Sequence, residues 1–166
     1  MITKFNKGFT LIEYERPKGV RRNESFTLIE LLIVIGILAI LMGAIIAAIN
    51  PARQFSQARN SQRWSHISSI LSAVYQNMVA NKGTFTCAGG SLPVSATGMK
   101  ASGGYDICGC LAPIYLPSMP FDPSSGSYAS CSGYDSDYTI YQNASTTRIT
   151  VASPSAELSE NISLTR

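Results

Sequence analysis

The residues able to do chemistry in this chain are few: four cysteines, one histidine, three clustered aspartates and one isolated glutamate. Cys87, Cys108, Cys110 and Cys131 all fall in the second half of the 166-residue sequence. Four thiols in a loop-rich segment suit either two disulfides or one four-thiolate metal site. Tetrahedral zinc sites use Cys-x2-4-Cys pairs, whereas this chain has one Cys-x-Cys and two singletons, so disulfides are expected and no metal is. Of the three connectivities, the one containing Cys108–Cys110 is disfavoured, because residues one apart rarely reach the required Cα separation without strain. Cys87–Cys108 with Cys110–Cys131 is the favoured pairing.

The other candidates give less. His66, the only histidine, lies between Trp64 and Ile67 on a helical pattern, with no Ser, Asp or Cys spaced to work with it. It reads as a surface or interface residue. Asp122, Asp135 and Asp137 offer oxygen ligands of the kind calcium takes, but their spacing matches no EF-hand loop, so a solvated turn is expected. With no nucleophile, base or metal set in view, catalysis is not indicated, and no cofactor is expected.

Glu30 is different. It stands directly ahead of Leu31–Ile49, 19 residues without a charge, which as a helix would cover roughly 28 Å of hydrocarbon. The run is too long for the apolar region of a secretory signal peptide. A carboxylate beside lipid is costly unless paired, and no basic residue follows until Arg53, roughly 35 Å along a helix. The spacing therefore calls for a cationic partner from outside this stretch.

Charge is unevenly distributed. Residues 1–25 carry six Lys/Arg against three Glu, residues 26–83 four against Glu30 alone, and residues 84–166 three against six acids. The total of +3 gives no reason to expect a nucleic-acid partner. Lys18, Arg21 and Arg22 before the apolar run are matched by Arg53, Arg59 and Arg63 after it, and the further basic residues upstream put the amino terminus in the cytoplasm.

After the run, Asn50-Pro51 fits a helix cap with proline at the first helical position, or a kink in one long helix. Phe55, Trp64, Ile67, Ile70, Leu71, Val74, Met78 and Val79 then recur with helical period. Gln57, Arg59, Asn60, Gln62, Arg63 and Gln76 make the opposite, solvated face. Asn81-Lys82-Gly83 ends the helix, with Gly83 as a left-handed cap. Residues 84–133 read as a loop-dominated connection with one short helix near 105–112. Tyr138–Gln142 and Arg148–Val151 have strand character, joined by a hairpin loop over 143–147, with further short strands at 126–130 and 161–165. The expected fold is α+β: a long N-terminal helix, half transmembrane and half amphipathic, on a small C-terminal antiparallel sheet.

Ser25-Phe26-Thr27-Leu28-Ile29-Glu30-Leu31-Leu32-Ile33-Val34-Ile35 resembles the amino-terminal signal of type IV prepilins and of the pseudopilins of type II secretion. In that family a small residue, usually Gly, precedes the cut, Phe follows it, and Glu is fifth in the mature chain. Ser25 departs from the usual Gly. Leu116–Pro123, followed by tyrosines, is similar to a Pro/Asp-rich region of some pseudopilin-like members.

The resemblance implies a pilin-like fold divided into a leader (1–25), a transmembrane and filament-core helix (26–50), and an amphipathic helix with an exported disulfide-tied head (51–166). It implies cleavage after Ser25 and N-methylation of Phe26 by a prepilin peptidase, an inner-membrane assembly platform as partner, and passage from the bilayer into a homo-oligomeric helical filament. Glu30 would then meet the new amine of a neighbouring copy. The rival readings are a pseudopilus of a secretion or DNA-uptake machine and a single-pass membrane-anchored binding module.

The motif also occurs twice. Lys7-Gly8-Phe9-Thr10-Leu11-Ile12-Glu13 has the better residue before the cut, but Tyr14-Glu15-Arg16-Pro17-Lys18 follows it, and that stretch cannot enter lipid. The second copy is therefore expected to be the one processed.

Overall fold

The computed structural model describes residues 26–166. The leader, Ser25 and the first copy of the repeated motif lie outside the described residues. The chain divides into one unit ending at Ile45 and a second spanning Ile46–Arg166.

Helix α1 runs Leu28–Ala48. Glu30 is its one charged residue, and none of its side chains is buried. It is long and apolar enough to cross a membrane; at 1.5 Å per residue it extends about 32 Å.

Helix α2 runs Pro51–Ala80. Asn50 has an extended backbone, and its side-chain oxygen accepts the Arg53 amide at 3.2 Å. Pro51 follows at the first helical position, where no amide hydrogen is needed. Of the two sequence expectations for Asn50-Pro51, the cap holds. At the far end Lys82 (φ 57°) already enters the left-handed region ahead of Gly83 (φ 90°), and the Gly83 amide donates to Met78 O at 2.8 Å. The stop is a two-residue left-handed terminus of Schellman type rather than a cap by Gly83 alone.

One antiparallel sheet follows, made of β1 (Thr97–Lys100), β2 (Ser127–Ser130), β3 (Gly133–Gln142), β4 (Ile149–Ser153) and β5 (Ile162–Thr165), with α3 (Cys108–Leu111) between β1 and β2. The order is β1-β3-β4-β5, and β2 pairs with the first residues of β3. The expected α+β, pilin-like combination of an N-terminal apolar helix and a C-terminal antiparallel sheet is present.

Two strands differ from expectation. β3 begins five residues earlier than Tyr138, since Tyr134, Ser136, Tyr138 and Ile140 alternate inward through the acidic stretch. β1, in the segment read as loop, is fixed by pairing Thr97 with Ile140 and Gly98 with Thr139. Backbone pairing to a long central strand outweighs the weak propensity of Thr-Gly-Met-Lys.

The core sits between α2 and the sheet. Ile67, Ile70, Leu71 and Val74 pack with Tyr138, Ile140, Ile149, Val151 and Ile162, and Met99, Ile107 and Leu111 close it from the connecting segment. Phe55 and Val79, expected on the buried face, are exposed.

Candidate functional site

The site with the most chemistry in the sequence is the start of α1. Thr27 caps the helix. Its amide and hydroxyl donate to Glu30 Oε2 at 2.9 and 2.7 Å, while the Glu30 amide donates to Thr27 Oγ1 at 3.3 Å. This is a capping box: two amides that a helix leaves unpaired are satisfied reciprocally by Thr at the cap and Glu three residues on. Within its own chain Glu30 thus has two hydrogen-bond donors from Thr27, which a search for cations alone passes over. Thr-x-x-Glu is itself a sequence signature of a helix start, and reading it as such would have found the contact. Neither donor is a cation, and among the described residues the carboxylate has no ion-pair partner. Phe26, next to the cap, is exposed.

The head is held by groups that the sequence pattern placed in solvent. Asn60 and Arg63 are buried, Arg63 at 0% exposure, which corrects their assignment to a solvated face. Extending the apolar stripe Val74, Ile70/Leu71 and Ile67 back by one and two turns lands on Arg63 and Asn60. The register was readable, but the polarity concealed it.

Arg63 Nε donates to Asp122 Oδ2 at 2.6 Å and an Arg63 terminal nitrogen to Oδ1 at 3.1 Å. Its remaining donors go to Asn60 Oδ1 (2.8 Å) and Ser124 Oγ (2.7 Å). Asp122 is therefore a fully buried ion partner and not part of a solvated turn. Burial alone would raise its pKa; the hydrogen bonds from Arg63 and Ser124 reverse this and hold it far below the ordinary carboxylate range. The same pairing raises the pKa of Arg63.

A second clamp lies beside the first. Arg59 binds Glu157 through two 2.7 Å hydrogen bonds. Asn60 donates to Glu157 O and Glu160 Oε2 at 2.8 Å, and accepts the Glu157 amide at 3.0 Å. Trp64, 37% exposed at the edge of the stripe, donates its indole hydrogen to Glu160 at 3.0 Å. The Arg59 hydrogen bonds pull the Glu157 pKa down to about 2.

His66 is half-buried, with Nδ1 2.9 Å from the hydroxyl of buried Tyr138. Desolvation lowers its pKa. Asp137 accepts from Ser125 and Ser155 at 2.5 Å each. Among the described residues no group of three or more His, Cys, Asp or Glu could hold a metal ion.

The cysteines pair as Cys87–Cys110 and Cys108–Cys131. The sequence-favoured Cys87–Cys108 with Cys110–Cys131 is thus corrected. In α3 the side chain of Cys108 turns into the core while Cys110 stays half-buried, so the helical turn sends the two sulfurs to different partners. The first bridge ties the segment after α2 to α3; the second ties α3 to the end of β2.

No curated protein and no solved structure matches the chain. Residues 20–46 match the family described as the prokaryotic N-terminal methylation motif, an interval that includes the second Phe-Thr-Leu-Ile-Glu copy and leaves out the first. The chain therefore carries, overlapping a helix able to cross a membrane, the amino-terminal signal of type IV prepilins and pseudopilins.

Proposed function

We propose that the chain is the precursor of a structural subunit of a type IV pilus-like filament. It is inserted in the cytoplasmic membrane with its amino terminus inside, cut between Ser25 and Phe26 by a prepilin peptidase, and methylated on the new amine of Phe26. An inner-membrane platform then passes it from the bilayer into a homo-oligomeric filament on the outer side.

The observation that carries this reading is the methylation motif over residues 20–46, joined to a helix whose one charge is Glu30. Thr27 satisfies hydrogen bonds of that carboxylate, and among the described residues no cation pairs with it, which is the condition for attracting an ammonium group. The freed amine of Phe26 on a neighbouring copy is such a group. Meanwhile Gly36 and Gly43, where an added Cβ would meet nothing within 4 Å in the isolated chain, leave room for close helix approach in an assembly.

Mass spectrometry of the mature amino terminus tests the reading. The expected result is a chain beginning at N-methylated Phe26; a mature chain beginning at Phe9, or one keeping Met1, overturns it. Electron microscopy of sheared surface material should then show thin filaments containing this chain, whereas a membrane-anchored binding module would yield none.

A further inference from the structure

The turn Glu157–Glu160 has a backbone that its sequence resists. Leu158 (φ 58°) and Ser159 (φ 57°) are both left-handed, and the Glu160 amide closes on Glu157 O at 3.1 Å. This is a type I′ turn, whose central positions favour Asn-Gly; a leucine there is strained. The clamp to Arg59, Asn60 and Trp64 at both ends of the turn holds it in place. The result is that Leu158, 49% exposed, is presented at the tip of a fixed loop.

The surface around that tip is continuous with the start of α2. Asn50, Ala52, Arg53 and Ser56 line one concavity of about 560 Å³ together with Leu158 and Ser159. Among the described residues Arg53 has no carboxylate within ion-pair distance. Asn50 is two residues beyond Ala48, the end of the membrane-crossing helix, no more than about 7 Å of chain. The polar layer of a bilayer is about 5–7 Å deep on each side. Connectivity therefore puts Asn50 at headgroup level, with Arg53 within about 4.5 Å more along the first turn of α2, and the shared concavity sets Leu158 beside them.

We propose that the Glu157–Glu160 turn and the first turn of α2 form a lipid-docking surface, with Leu158 entering the acyl boundary and Arg53 meeting lipid phosphate while the subunit waits in the membrane. An apolar tip beside an unpaired cation is the pairing that interfacial segments use. The proposal rests on α1 spanning the bilayer.

The test uses the full chain in nanodiscs of phosphatidylethanolamine and phosphatidylglycerol holding one copy each, with lipids brominated near the headgroup. Leu158→Trp is compared with Val94→Trp, each as the difference from the parent chain and its native Trp64. Val94 is also exposed and does not line this concavity. Quenching at position 158 should clearly exceed that at position 94, because only a side chain lying at the acyl boundary comes beside the bromine atoms. Equal quenching overturns the docking surface, as does protection of position 158 that grows only with the number of copies per disc, which would make the turn a contact between copies. A chain that does not stay in the disc at all fails the membrane-anchor reading instead, and both variants should melt with the parent chain.

Discussion

Arg63 and Asp122, 59 positions apart in the chain, meet as a two-pronged ion pair with neither side chain exposed. They join the middle of α2 to the loop before β2. A buried pair is stable only when its other donors and acceptors are also satisfied, and here Asn60, Ser124 and Ser125 complete the set.

The costs of removing the two members should therefore not add. Asp122→Asn leaves the guanidinium buried without its counter-charge and should destabilise the head by about 3–5 kcal/mol. That corresponds to a fall of about 10–20 °C in Tm. Arg63→Met with Asp122→Leu should cost clearly less than the sum of the single changes. Thermal melts of the detergent-solubilised chain, followed by near-ultraviolet circular dichroism, measure both; additive losses would mean that the pair acts as two independent residues.

Acid should loosen the same region in steps. His66 is held below its ordinary 6.5, so the unfolded chain takes up its proton first and stability falls as pH drops below about 6.5. Glu157 and Asp122 are held below their ordinary 4.5 and 3.8, so their contribution is full above those values and is lost as pH falls, for Glu157 through about 2. All three act in one direction. At the other extreme burial pushes Tyr105 and Tyr134 up to about 12 and Tyr138 higher, so stability should fall again as pH rises above 10. Tm measured across pH should be flat-topped near neutrality; a maximum below pH 4 would contradict these assignments.

Glu30→Gln separates the two uses of the side chain. Glutamine serves in a capping box as glutamate does, so α1 should begin at the same residue. Its amide cannot attract an ammonium group as a carboxylate does, so filament recovery should fall at least about tenfold if the pairing supplies a charge-assisted bond. Normal assembly of the Gln variant would reduce Glu30 to a helix cap. Glu30→Ala, which loses both functions, should be no better.

The disulfides should be found as Cys87–Cys110 and Cys108–Cys131 when the purified chain is digested without reduction and the fragments are weighed. Each bridge spans 23 positions, and a loop of that size contributes about 3 kcal/mol by restricting the unfolded chain. Replacing both members of either pair by serine should lower Tm measurably, and peptides joining Cys87 to Cys108 would refute the pairing.

What the sequence determined by itself is what short-range spacing encodes: an apolar run long enough for lipid, a break at Asn50-Pro51, a helical stripe through Ile67, Ile70, Leu71 and Val74, and strands where β-branched and aromatic residues cluster. The motif around Phe26 and Glu30 belongs to this class too, since five adjacent residues carry it. Tertiary structure decided the rest. Whether Arg63 faces water or Asp122 depends on a loop 59 positions away, and no local pattern reports that distance. The two sulfurs of α3 were sorted by which side of one helical turn faced the core. Thr97–Lys100 became a strand only because β3 offered an edge to pair with. Leu158 stands at the tip of a strained turn because α2 clamps Glu157 and Glu160 on either side of it. In each case the contact that selects the conformation lies far along the chain, so its energy exists only once the fold has formed.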